Sequence, residues 1–160
     1  MTLTITRRSP LSPDLGLLFS RHNADMHADT PPESIHMLPR EDLAAPGIDF
    51  FVLRDAGQPL AMGAIKRLPD MSGYPPEAEI KSMHVLTEAR GRGLSRRMLQ
   101  ALIDHARASG IRRLSLETGI QPTFIAARGL YERAGFAECP PFRGYEEDPN
   151  SIFMTLHLDA

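Results

Sequence analysis

The segment Arg90-Gly91-Arg92-Gly93-Leu94-Ser95 concentrates more chemistry than any other stretch of the chain. Two glycines one residue apart let a backbone turn tightly and approach a ligand with no Cβ in the way. Where a helix begins behind such a turn, its first N–H groups have no partner inside the helix. Together with the helix dipole, they point at an anion. Arg90, Arg92, Arg96 and Arg97 add guanidiniums, whose forked donors suit phosphate oxygens. The chemistry indicated is phosphate binding. The segment is no Walker loop, because no Gly-Lys-Ser/Thr follows, and Arg96 stands where a dinucleotide fingerprint needs its third glycine. Taken alone, a glycine pair ahead of a helix is also compatible with an ordinary strand-to-helix turn.

The elements around the segment follow from hydrophobic periodicity. Glu79 to Leu86 reads as a strand leading into it, and Leu94, Met98, Leu102 and His105 recur at helical spacing up to Gly110, a C-terminal stop. Upstream, Leu3 and Ile5 alternate with threonines as a short strand. Asp14 is placed to cap a helix over about residues 15–28. Residues 30–39 hold three prolines and form a loop, and Glu41 to Ala45 could add one helical turn. Ile48 to Leu53 and Leu60 to Leu68 are strands around a turn at residues 55–59, an antiparallel hairpin. Downstream, residues 112–118 form a strand, residues 123–134 a helix ended by Gly135, and Phe136 to Glu138 begins another strand. Ile152 to Leu158 alternates as the last. Strand pairs with isolated helices indicate a single-domain α/β fold with a mixed sheet over residues 1–160.

Composition narrows the classes. The chain has 160 residues, 42% of them hydrophobic, enough for one buried core and too apolar for disorder. No apolar run approaches the roughly 18–20 residues that span a bilayer. The first eight residues lack a signal's apolar block, so a soluble cytoplasmic protein is expected. Cys139 is the one cysteine, which excludes an internal disulfide and a CxxC zinc site. His22, His27 and His36 offer no His-x-x-x-His pair or carboxylate cluster, so no metal is expected. The formal charge of −2 argues against nucleic-acid binding by bulk charge, but it hides a split. Arg90 to Arg113 holds seven arginines and one acid, Asp104, a net of +6 that leaves −8 elsewhere. That split suits a polyanionic ligand. Lysines are scarce, with only Lys66 and Lys81, and Lys81 is centred in an otherwise apolar strand.

Three stretches together resemble the GNAT superfamily of acyl-CoA-dependent N-acyltransferases: residues 79–85 (EIKSMHV), residues 90–95, and residues 130–136 (LYERAGF). The glycine segment is similar to that family's (Gln/Arg)-x-x-Gly-x-(Gly/Ala) loop, with Ser95 at the final position, and Leu-Tyr-x-x-x-Gly-Phe to its C-terminal motif. Thr30-Pro31-Pro32-Glu33-Ser34, Leu116-Glu117-Thr118-Gly119 and Asp148-Pro149-Asn150-Ser151 further resemble its small bacterial YsnE-like branch. The resemblance implies a GNAT-like, mainly antiparallel sheet flanked by helices, and acetyl transfer from acetyl-CoA to a primary amine of a small molecule. The reaction would run by direct attack in a ternary complex, with coenzyme A as product.

The same resemblance carries roles to individual residues. Met83, His84 and Val85 map to the strand end whose backbone pairs with the pantetheine and polarises the carbonyl. Arg90, Gly91, Arg92, Gly93, Leu94 and Ser95 would take the pyrophosphate. Glu79 maps to a carboxylate base that removes the amine's proton directly or through water. A solvent-facing strand glutamate, or one paired with Lys81 on the same strand face, is the alternative. Tyr131 maps to the proton donor for the leaving sulfur, or else packs in the core with its hydroxyl on a backbone group. Phe124 stands where many relatives carry an asparagine near the pantetheine, so that contact is expected to be lost or replaced. Around the acceptor, Lys81 could anchor a carboxylate, Glu117 could orient an ammonium, and Arg143 and Tyr145 could close the pocket. Competing readings are a non-catalytic acyl-CoA-binding regulatory module and nucleic-acid binding by the arginine-rich helix. No nucleic acid and no membrane are the expectation; a homodimer is left open.

Overall fold

The computed structural model describes residues 2–158. Seven strands form one sheet: β1 (Leu3–Arg7), β2 (Ile48–Asp55), β3 (Gln58–Arg67), β4 (Glu77–Val85), β5 (Arg113–Gly119), β6 (Ala137–Cys139) and β7 (Ser151–His157). Their spatial order is β1-β2-β3-β4-β5-β7-β6. Every neighbouring pair is antiparallel except β4 with β5. Three helices accompany the sheet, α1 (Gly16–Asp29), α2 (Leu94–Ala108) and α3 (Ile125–Arg133). The mixed, mainly antiparallel sheet expected from the sequence is the observed one.

The β2–β3 hairpin turns at Ala56 and Gly57, both with positive φ, the two-residue turn whose twist matches the flanking strands. Helix α2 is amphipathic as its spacing predicts: Leu94, Met98, Leu99, Leu102, Ile103 and Ala106 are all buried. It packs against β3 and β4 at Gly63. A Cβ there would lie 3.0 Å from both Leu102 Cδ1 and Met83 Sδ, so this rung is open only to glycine without displacement of its neighbours. One expectation fails at the start of α1. Residues Pro13–Leu15 form a 3₁₀ turn, and Asp14 caps nothing. Its carboxylate accepts instead from Arg54 of β2, at 2.5 Å, and from Ser12. That guanidinium holds the Asp14 carboxyl below the usual range. A charged donor outcompetes a neutral amide for the same oxygen.

Candidate active site

Strands β4 and β5 pair only from Glu77↔Arg113 to Glu79↔Ser115. Beyond those rungs they part, and their facing backbone groups lose ladder partners. On the other edge of β4 the register with β3 skips from Ala64↔Lys81 to Met62↔His84, a bulge with Ser82 at φ +58°. Parting and bulge open two cavities, of about 660 Å³ and 130 Å³. Six residues line both: His22, Met26, Met83, Phe124, Ala127 and Tyr131.

Arg90, Gly91, Gly93, Leu94 and Ser95 line the larger cavity, with Met83, His84 and Val85 further along it. Gly91 and Gly93 have φ of +83° and +74°, conformations that a side chain strains, and Gly93 is the residue from which α2 starts. No acid lies in the first turn of α2, so its positive end is unneutralised. The loop arginines divide. The Arg90 guanidinium donates to the Val85 carbonyl and to Asp25. Arg92 donates to Asp55 at 2.9 Å, away from the cavity lining. Arg96 and Arg133 line the cavity, Arg133 unforeseen in the sequence because it comes from α3.

Beside the loop two histidines meet that the sequence leaves unconnected. His22 of α1 and His84 of β4 have ring centroids 5.3 Å apart, and both are more than nine-tenths buried. Desolvation lowers each to about 4, so both are neutral near pH 7. With the unfolded value at the ordinary 6.5, their contribution to stability is fully present above about pH 6.5 and is lost as pH falls through 4. Thermal melts between pH 7 and 4 should therefore show a fall in Tm that His22→Phe makes shallower. An equally steep fall in the variant would assign it elsewhere.

The smaller cavity gathers Glu79, Lys81, Glu117 and Tyr131 with His36 and Ser151. Glu79 is 3% exposed. Its Oε2 accepts from the Tyr145 hydroxyl at 2.5 Å and lies 3.1 Å from Lys81 Nζ, so the strand-face pairing weighed above is present. Lys81 Nζ donates to the Tyr145 hydroxyl (2.7 Å) and the His36 carbonyl (3.1 Å), with the Glu79 carboxylate as its ion-pair partner. Glu117 Oε2 accepts from Ser151 at 2.8 Å and sits 2.6 Å from His36 Nδ1. Tyr131 is 6% exposed, and its hydroxyl has no hydrogen-bond partner among the described residues. Burial pushes it up to about 12, so it keeps its proton at any ordinary pH. Phe124 packs so closely over Gly119 that a Cβ there would lie 2.3 Å from its ring.

Tyr145 thus works from behind the wall, through Glu79 and Lys81. Arg143 does not reach the pocket. A turn through Arg143 (φ +42°) and Gly144 sends the guanidinium to the buried Glu77, with Nε 3.2 Å from Oε1, and Nη1 donates to the Pro69 carbonyl. A buried carboxylate demands a counter-charge, and Arg143 supplies it. Among the described residues, no group of three His, Cys, Asp or Glu side chains could hold a metal ion. Among the described residues, no helix is long and apolar enough to cross a membrane.

Comparison with known proteins bears on the same residues. The model of the acetyltransferase (GNAT) family matches residues 18–136. The Bacillus subtilis N-acetyltransferase YsnE, itself uncharacterized, is 42% identical over 141 residues, 88% of this chain and 90% of its own. An IAA acetyltransferase of Azospirillum brasilense is 41% identical over 160 residues, 98% of each chain. Among solved structures, a Klebsiella pneumoniae protein assigned as an acyl-CoA N-acyltransferase is 28% identical, with a TM-score of 0.77 over 99% of both chains. The Salmonella typhimurium protein yncA, solved with its cofactor acetyl-CoA, shares the fold at a TM-score of 0.71 and 20% identity, covering 100% of this chain and 96% of that one. The family match spans the glycine loop, the parted strands and α3, and the two relatives extend it over nearly the full length. The chain therefore belongs to the acetyltransferase (GNAT) family.

Proposed function

We propose that this protein transfers an acetyl group from acetyl-CoA to the primary amine of a small molecule, by direct attack with both substrates bound. The observation that carries this reading is the pair of cavities joined at Tyr131, one lined by the phosphate-type loop and the other by carboxylates. The larger has the features a coenzyme A needs: glycines at positive φ, the open end of α2, and Arg96 and Arg133 for its phosphates. Met83 and Val85 would meet the pantetheine through the backbone. Bound there, acetyl-CoA supplies an acetyl thioester whose sulfur is the leaving group. Tyr131, protonated and without a protein partner, gives that sulfur a proton.

The acceptor is small and cationic. A volume of about 130 Å³ resembles the roughly 150 Å³ cavity that takes up benzene, so about six heavy atoms of the amine are enclosed. Glu79 and Glu117 outnumber Lys81 on the wall. Lys81, with its donors engaged, holds Glu79 and the His36 loop in place, and Glu79 Oε1 faces the ammonium.

Thiol release should occur only when acetyl-CoA and a small amine are both present. An acetylated protein formed from acetyl-CoA alone would overturn direct attack. Tight acetyl-CoA binding without turnover across a broad amine panel would favour a regulatory module. In calorimetric titration with coenzyme A, Gly93→Val should weaken binding at least tenfold, because valine strains the φ of +74° from which α2 starts. Unchanged affinity would move the phosphate site elsewhere.

A further inference from the structure

The acetyl-transfer reading needs a neutral amine, and one side chain at the smaller cavity is arranged to make one. His36 lies in the loop between the 3₁₀ turns Pro32–Ser34 and Arg40–Ala44. That loop is tied to the rest of the site at three points. Lys81 Nζ donates to the His36 carbonyl, Ser34 Oγ donates to Asp148 at 3.0 Å, and Asn150 Nδ2 donates to Ser34 Oγ at 3.2 Å. The His36 ring is held as well, 5.7 Å from the Tyr145 ring centroid and 2.6 Å from Glu117 Oε2 through Nδ1. A carboxylate accepts but cannot donate, so Nδ1 carries the proton. The neutral ring then keeps its lone pair on Nε2, which has no hydrogen-bond partner among the described residues. The side chain is 34% exposed, so a proton collected there has a way out to water.

We propose that His36 takes the proton from the acceptor ammonium, with Glu117 as its positioning residue. The proposal rests on the acetyl-transfer reading above. His36 Nε2 removes one proton from R–NH₃⁺ and becomes an imidazolium, whose charge Glu117 balances. The freed nitrogen pair forms the C–N bond to the acetyl carbon as the C–S bond breaks. The sulfur takes the Tyr131 proton, and the second N–H proton refills the Tyr131 oxygen. The imidazolium returns its proton to solvent, so the products are an N-acetyl amine, coenzyme A and one proton. Glu79 then acts by holding the ammonium, since its Oε2 is committed to Tyr145 and Lys81.

The charged groups facing His36 are Glu117 from β5, Lys81 and through it Glu79 from β4, and Asp148 from the loop before β7. The Tyr145 hydroxyl completes the set. They are common to wild type and variant, which isolates the imidazole in the following comparison. His36→Asn keeps an amide N–H for Glu117 and removes the basic nitrogen. It should lower kcat about 100-fold or more, leave KM within threefold, and abolish the fall in rate at acidic pH. Added imidazole should restore part of the rate. Glu117→Gln should lower kcat about tenfold, because the ring loses the carboxylate that fixes its tautomer and balances the imidazolium. Glu79→Gln should act mainly on KM. Nitrogen NMR of the free protein should show His36 protonated at Nδ1. Wild-type kcat and pH profile in His36→Asn, or a proton on Nε2, overturns the base role and leaves acetyl transfer standing. A wild type that releases no thiol with any amine overturns both.

Discussion

Tyr131→Phe should cut thiol release by about 100-fold or more, while the protein folds and binds coenzyme A as before. The side chain lines both cavities, which on the proposed reading is where acyl donor and acceptor would meet. Its ring packs edge-on against Phe136 at 5.7 Å, and phenylalanine keeps that contact. The hydroxyl has no partner among the described residues to lose, so the stability should stay within about 0.5 kcal/mol of wild type. A second signature follows from its titration. Burial raises the hydroxyl from its ordinary 10 to about 12, which favours the protonated form in the folded state. The corresponding stability is fully present below pH 10 and is lost as pH rises through 12. Tyr131→Phe should remove that alkaline loss. Wild-type turnover in the variant would take the proton-donor role from Tyr131. Lost turnover with collapsed Tm would make its role structural.

Glu77→Ala should be strongly destabilising, lowering Tm by about 6–12 °C for a loss of about 3 kcal/mol. Glu77 is 2% exposed and accepts from Ser115 Oγ at 2.7 Å, with Arg143 3.2 Å and Arg113 3.6 Å away. Removing the carboxylate leaves two guanidiniums facing a buried void. The cost reaches function too, because the Glu77–Ser115 contact ties β4 to β5 across their three paired rungs, from the first to the last before the strands part. KM for both substrates should rise more than kcat falls. Glu77→Gln, which retains an acceptor for Ser115, should fall between wild type and alanine. A thermal melt of Glu77→Ala within 2 °C of wild type would show the cluster to be energetically idle.

Both predictions concern residues of different legibility. Tyr131 was visible in the sequence, since Leu-Tyr-x-x-x-Gly-Phe marks it and its helix is short and bounded by Gly135. Glu77 carried no signal: nothing in a string of letters says that an acid at a strand start will be buried under two arginines from residues 113 and 143. Arg143 was read as a pocket residue for the same reason, because a proline-rich loop does not disclose which way its turn sends a side chain. His22 and His36 drew attention only as metal ligands. Their partners, His84 and Glu117, stand on other elements far along the chain.

The glycine loop at residues 90–95 is the feature the sequence determined most completely. Its glycines, its helix start and its following apolar face are local properties, set by φ/ψ freedom and a 3.6-residue period, and the structure realises each of them. Alternation along β4 likewise determined that Glu79 and Lys81 share a face. Tertiary structure alone decided what that face does. It parted β4 from β5 after three rungs, carried Tyr145 and His36 to Lys81, and set Glu117 against an imidazole. It also turned Arg92 away to Asp55. The physical reason is range. Backbone conformation is dictated by neighbours within a few residues, whereas a hydrogen bond between a loop, a strand and a distant turn exists only once the sheet has closed between them.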